Sequence, residues 1–178
     1  MADWPATTLS SPLRGTIHSG SAASLGGCRF NGNVFTAAAA WPAANRALYI
    51  PFLLETPVTA YKMAFEVGAQ AGNCDVGIYD YLGNRLVSAG STAVGAAGLQ
   101  VVDIADTALV PGVYYMAMNC DTVTTLTIVR AGMPAQVCQM YGMQQQAVGA
   151  VTLPNPATFA NPASAYLPGL SVAFKATI

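Results

Sequence analysis

Charge is what this 178-residue sequence has least of: seven Lys and Arg against eight Asp and Glu make up only 8% of the chain, where an ordinary soluble domain carries about 25%. A folded monomer of 18.3 kDa exposes roughly 8,000 Å², which leaves roughly one charged side chain per 540 Å². Such a surface is poorly defended against association. The basic residues Arg14, Arg29, Arg46, Lys62, Arg85, Arg130 and Lys175 are scattered and the net charge is −1. No stripe exists to neutralise a run of phosphates, so nucleic acid is not expected as a direct partner. Uninterrupted apolar runs are also missing, although 53% of the residues are hydrophobic. The most apolar stretch, Ala47 to Phe65, contains Pro51, Glu55, Pro57 and Lys62 and cannot span a bilayer as a helix, so no membrane partner is expected. Met1-Ala-Asp-Trp-Pro5 has no basic region followed by an apolar block, so a secretory leader is not expected.

Histidine and closely spaced cysteines are scarce as well. Cys28, Cys74, Cys120 and Cys138 form no C-x-x-C pair and share the chain with one histidine, His18, which argues against a zinc site. The cysteines read as small buried hydrophobes. Cys74 and Cys120 both fall on expected strands, which leaves a disulfide between them open, because spacing alone does not fix the approach of their Cα atoms.

What is present is a change of period along the chain. Residues 1–45 are rich in Gly, Ala, Ser and Thr, with Pro5, Pro12, Gly15, Gly20, Gly26, Gly27 and Gly32 breaking any repeat; they read as an extended arm. Within it, Thr36 to Trp41 is alanine-rich enough for one helical turn, ended by Pro42. From Ala47 the period becomes two. Val58 to Val67 places Thr59, Tyr61, Met63, Phe65 and Val67 on one face, as in a half-buried strand. Asn73 to Tyr79 and Arg85 to Ser88 flank Gly83-Asn84, a hairpin signal. Leu99 to Ile104, Asp106 to the Pro111-Gly112 turn, Val113 to Cys120, Thr124 to Arg130 and Ser171 to Ile178 follow. With Ala47 to Leu54 this gives about eight strands and no amphipathic helix. The expected fold is therefore all-β, a two-sheet antiparallel β-sandwich of jelly-roll type spanning 46–178. Residues 131–169 break the rhythm and read as a long insertion between the last two strands. An insertion of that length needs a function or a partner, and its polar, uncharged character suits contact with another protein chain.

Chemistry-bearing groups do not converge. His18 lies in the Gly/Ser-rich arm, a poor platform for the base of a Ser-His-Asp arrangement. Asp75, Asp80, Asp103, Asp106 and Asp121 could in principle form a glycosidase pair or a calcium site, but most sit beside turns, where Asp bonds nearby amides. Gly95-Ala-Ala-Gly98 precedes a strand and lacks the lysine of a phosphate loop. Tyr79, Tyr81, Tyr114 and Tyr115 could stack on sugars, and alternation puts one of Tyr114 and Tyr115 in the core. No catalytic residue, cofactor or metal is expected.

The segments Arg46-Ala-Leu-Tyr-Ile-Pro-Phe-Leu-Leu, Val58-Thr-Ala-Tyr-Lys-Met, Gly72-Asn-Cys-Asp-Val-Gly-Ile-Tyr-Asp80, Gly83-Asn-Arg-Leu86 and Leu109-Val-Pro-Gly-Val-Tyr-Tyr-Met-Ala117 together resemble a β-sandwich module recurrent in tailed-phage particle proteins. The resemblance covers about residues 46–130 and the closing strand. It implies a virion structural protein, a capsid decoration or a head- or tail-fibre subunit, with no catalytic residues to carry over. Related sandwiches also occur in carbohydrate-binding modules, so a host glycan is the alternative ligand. The expected partners are other copies of the chain, as a trimer, and other capsid or tail proteins. The arm is expected to dock onto a neighbouring subunit or particle protein through Trp4, Leu9, Leu13, Ile17, Phe30, Phe35 and Trp41, or else to fold back as an edge strand.

Overall fold

A computed structural model describes residues 16–18 and 37–176. In chain order its strands are β1 (Thr16–His18), β2 (Ala37–Ala40), β3 (Arg46–Leu54), β4 (Val58–Ala69), β5 (Asn73–Asp80), β6 (Arg85–Ser88), β7 (Thr92–Ala93), β8 (Gly98–Leu109), β9 (Gly112–Cys120) and β10 (Thr127–Ala131). A short helix α1 (Ala135–Met140), β11 (Gln144–Ala147), β12 (Leu167–Pro168) and β13 (Leu170–Ala176) complete them. They form two antiparallel sheets packed face to face, so the chain is an all-β sandwich.

Sheet A is built on β4, which pairs with β8, β13 and β10; β1 adds to β13, while β2 and β12 add to β10. Sheet B runs β11-β3-β9-β5-β6, with β7 beside β5. The inner faces interdigitate through Leu48, Ile50 and Phe52 of β3, Met63 and Phe65 of β4, Val76 and Ile78 of β5, Met116 and Met118 of β9, and Val172 and Phe174 of β13, all buried. Large apolar side chains alternating with period two are what a strand pair needs to bury one face, and each such residue contributes about 1.5–3 kcal/mol.

Three expectations are corrected in detail. Thr36 to Trp41 contains no helical turn: Ala37–Ala40 is strand β2, in register with β10 from Ala40↔Thr127 to Ala37↔Arg130, so ladder hydrogen bonds outweigh alanine's helix propensity. The single face read for Val58 to Val67 breaks at Tyr61. The β4 register slips there against both β8 and β13, so Ala60 points inward before the bulge and Met63, Phe65 and Val67 after it. The strand expected over Leu99 to Ile104 runs on through residues 105–109 as β8.

Residues 131–169 differ most from a structureless insertion. They contain α1, whose Cys138 is buried, and β11, which extends sheet B by pairing Gln144 to Ala147 with Tyr49 to Arg46. The segment then crosses the outer face of sheet B. There Leu153, Ala157 and Phe159 pack on Ala47, Tyr49, Tyr79, Tyr115 and Ala117 as a second, smaller core. This explains the nearly continuous apolar character of β3 and of the middle of β5: strands buried on both faces need not alternate. Among the described residues no helix is long and apolar enough to cross a membrane.

Candidate functional site

The β5–β9 ladder fixes what meets at one end of the sandwich. Asp80 is paired with Tyr114 at its last step, so the turn leaving β5 and the turn entering β9 project side by side. The first turn is organised by Asp80. One carboxylate oxygen accepts hydrogen bonds from the N–H groups of Leu82 (2.9 Å) and Asn84 (2.8 Å), and the other accepts from the Asn84 side-chain amide (2.7 Å). Slight burial works to raise the pKa of Asp80, but these donors and the Gly83 N–H outweigh it and hold the carboxyl below its usual range. Gly83 sits at φ +91°, a left-handed conformation that favours glycine, and a Cβ there would meet the Ala157 carbonyl at 2.9 Å. With its polar groups satisfied internally, the turn presents Tyr81 and Leu82 to solvent, 65% and 66% exposed.

The second turn, Val110-Pro111, is tethered by the Tyr114 hydroxyl, which donates to the Val110 carbonyl at 2.8 Å. Val110 is 66% exposed, whereas the Tyr114 ring is buried and stacks on Phe52 with centroids 5.7 Å apart. Between the turns lies an open cleft of about 580 Å³, lined by Asp80, Tyr81, Val110, Pro111, Gly112, Val113 and Tyr114. That volume is of ligand-site size, and the lining is predominantly apolar.

A second polar cluster is structural. Asp75, fully buried on the outer face of β5, accepts the Leu153 N–H at 2.8 Å. Burial raises its pKa, and the Leu153 and Gly90 N–H groups, the Arg85 guanidinium and the Ser88 hydroxyl only partly counter this. Its cross-strand neighbour Asn119 donates to the carbonyls of Ala150 (2.9 Å) and Val151 (2.7 Å). The Tyr79 hydroxyl donates to the Pro154 carbonyl and the Arg85 guanidinium to the Leu153 carbonyl. These groups fasten residues 150–154 onto sheet B.

The other candidates are placed as follows. Asp103 and Asp106 face solvent on sheet A, paired with Lys62 (3.5 Å) and Lys175. Asp121 accepts from the backbone and side-chain amides of Asn73, each at 2.8 Å. The five aspartates are thus distributed over both sheets and both ends of the sandwich. Among the described residues no group of three His, Cys, Asp or Glu could hold a metal ion. In backbone register His18 lies opposite Ser171. The four tyrosines separate: Tyr79 and Tyr114 are buried, Tyr115 packs on Phe159 at 4.7 Å, and Tyr81 remains at the cleft mouth.

Of the expected arm anchors, Trp4, Leu9, Leu13, Phe30 and Phe35 lie outside the described residues. Ile17 is in register with Val172 at the edge of sheet A of its own chain. Trp41 differs from the expectation of docking on a neighbour: it is 1% exposed inside its own sandwich, donates its indole N–H to the Arg46 carbonyl at 2.9 Å and meets the Tyr166 ring edge-on at 5.4 Å. Sequence reasoning missed that residues 148–160 cover sheet B. The available signal was the recurrence of Tyr49, Tyr79 and Tyr115 at outward positions of neighbouring strands, too much aromatic surface to leave in water. No protein-family model, curated protein or solved structure matches the chain.

Proposed function

We propose that this chain is a structural subunit of a bacteriophage particle, a capsid decoration or a head- or tail-fibre component, acting by packing against copies of itself, as a trimer, and against other particle proteins. The observation that carries this reading is the apolar end of the sandwich. Tyr81 and Val110 stand exposed on an open apolar cleft, and Leu82 is exposed in the same turn as Tyr81, on a molecule whose sequence has only 8% charged residues. Adjacent exposed apolar groups of this kind mark contact surfaces, and closed symmetric assemblies bury them. The resemblance of residues 46–130 to phage-particle sandwiches points the same way. Sedimentation of the full chain tests the association: a trimer at micromolar concentration is expected, dissociated by Val110→Asp with Leu82→Asp, and a soluble monomer would refute it. Localisation of the protein in intact particles by cryo-microscopy tests the particle assignment.

Tyr81 favours one second reading, a glycan-binding tip, because it is exposed and lines the cleft together with Asp80. Glycan-array binding lost in Tyr81→Ala would support that reading over pure packing.

A further inference from the structure

At the end of the sandwich opposite the cleft, Cys74 of β5 and Cys120 of β9 are direct cross-strand partners. The Asp121 N–H donates to the Asn73 carbonyl at 3.1 Å, which makes Asn73 and Asp121 a hydrogen-bonded pair. Alternation along an antiparallel ladder therefore makes Cys74 and Cys120 a non-hydrogen-bonded pair, the position where opposed Cα atoms approach to about 4.5 Å and side chains lie closest. That separation lies inside the window of about 4.4–6.8 Å that a disulfide spans without backbone movement. Both residues project from the same face into the inner core, and both thiols are free and buried. Cys138 is also a free buried thiol, but it lies on α1 rather than on this ladder.

We propose that Cys74 and Cys120 are a modification site, a thiol pair that closes to an intramolecular disulfide when the chain meets a small-molecule disulfide oxidant. One thiol loses its proton and attacks the oxidant, forming a mixed disulfide and releasing one reduced thiol. The second cysteine displaces the other half, so two electrons and two protons leave the protein and two oxidant thiols form. The loop closed in this way contains β6, β7 and β8, and the bond itself joins two neighbouring strands of sheet B. Burial pushes the Cys74 thiol up to about 12 and the Cys120 thiol well above its ordinary value. The folded, reduced chain therefore oxidises slowly, and the bond forms most readily while β5 and β9 are coming together.

Trypsin separates the four cysteines, because Arg14, Arg29, Lys62, Arg85, Arg130 and Lys175 place Cys28, Cys74, Cys120 and Cys138 in different peptides. The test is to refold the full chain in a buffer of oxidised and reduced glutathione, block remaining thiols with an alkylating agent, and map the digest. The expected result is peptide 63–85 joined to peptide 86–130 in a species that migrates as a monomer on a non-reducing gel. The oxidised protein should melt about 10 °C above the reduced one. Free or merely glutathionylated Cys74 and Cys120, a link from either to the peptide of Cys28 or Cys138, or a link found only between chains would each overturn the assignment.

Discussion

On the solvent side of sheet A, Lys62 reaches Asp103 at 3.5 Å, Lys175 reaches Asp106, and both lysines lie over the Tyr61 ring at 5.7–5.8 Å. On the corresponding side of sheet B, Tyr49, Tyr79, Asp75 and Asn119 are buried beneath residues 148–160. One face is finished with charge and the other with chain. The difference shows how a sequence this poor in charge leaves little bare apolar sheet: scarce ion pairs are spent on the face that meets water, and a segment fastened by buried hydrogen bonds covers the other. The apolar surface left exposed gathers partly at the sandwich end, around the cleft.

If the cover is part of the core, truncating it is costly. Leu153→Ala, at a side chain 1% exposed and seated over Gly77, is expected to lower unfolding free energy by about 3 kcal/mol, measured by urea denaturation. Asp75→Ala leaves the buried Leu153 N–H without its acceptor and is expected to cost about 2 kcal/mol. The same carboxyl gives a pH signature. Its folded-state pKa is raised above the ordinary value of 3.8, so the folded chain holds that proton more tightly than the unfolded one. Its contribution is fully present below 3.8 and is lost as pH rises through the folded value. Asp75→Asn should remove this decline from the stability–pH profile between those two values, and an unchanged profile would show that Asp75 titrates as an exposed group.

Smaller effects are expected away from the cover. Asp80→Ala, which removes three hydrogen bonds in an exposed turn, should cost about 1 kcal/mol, with no response to added calcium. Lys62→Ala on the open face should change stability by about 0.5 kcal/mol or less, because its partner Asp103 is exposed and the pair is screened. A loss at Lys62 equal to that at Leu153 would break the contrast between the faces.

The sandwich itself was legible because burial of the inner faces imposes period two on Val76 and Ile78, Met116 and Met118, and Val172 and Phe174, and because Gly83-Asn84 and Pro111-Gly112 mark turns. The bulge at Tyr61 was not, since one extra residue changes register without changing composition. Trp41 was grouped with the arm because the Gly/Ala-rich sequence before it has no period, yet its partner Tyr166 lies far along the chain. The cleft was half legible. Tyr81 and Asp80 stood out, but their approach to Val110 depends on the β5–β9 register, which no local pattern specifies.

Amide hydrogen exchange under native conditions tests the cover most directly. The Leu153 N–H bonded to Asp75, and the Gln145 and Ala160 N–H groups bonded to each other's carbonyls at 2.8 and 3.0 Å, should exchange nearly as slowly as the amides of β5 and β9, opening only when sheet B opens. Fast exchange at these three amides while β5 and β9 stay protected would contradict the account, because residues 148–160 would then be a loose loop over a face that something else must cover.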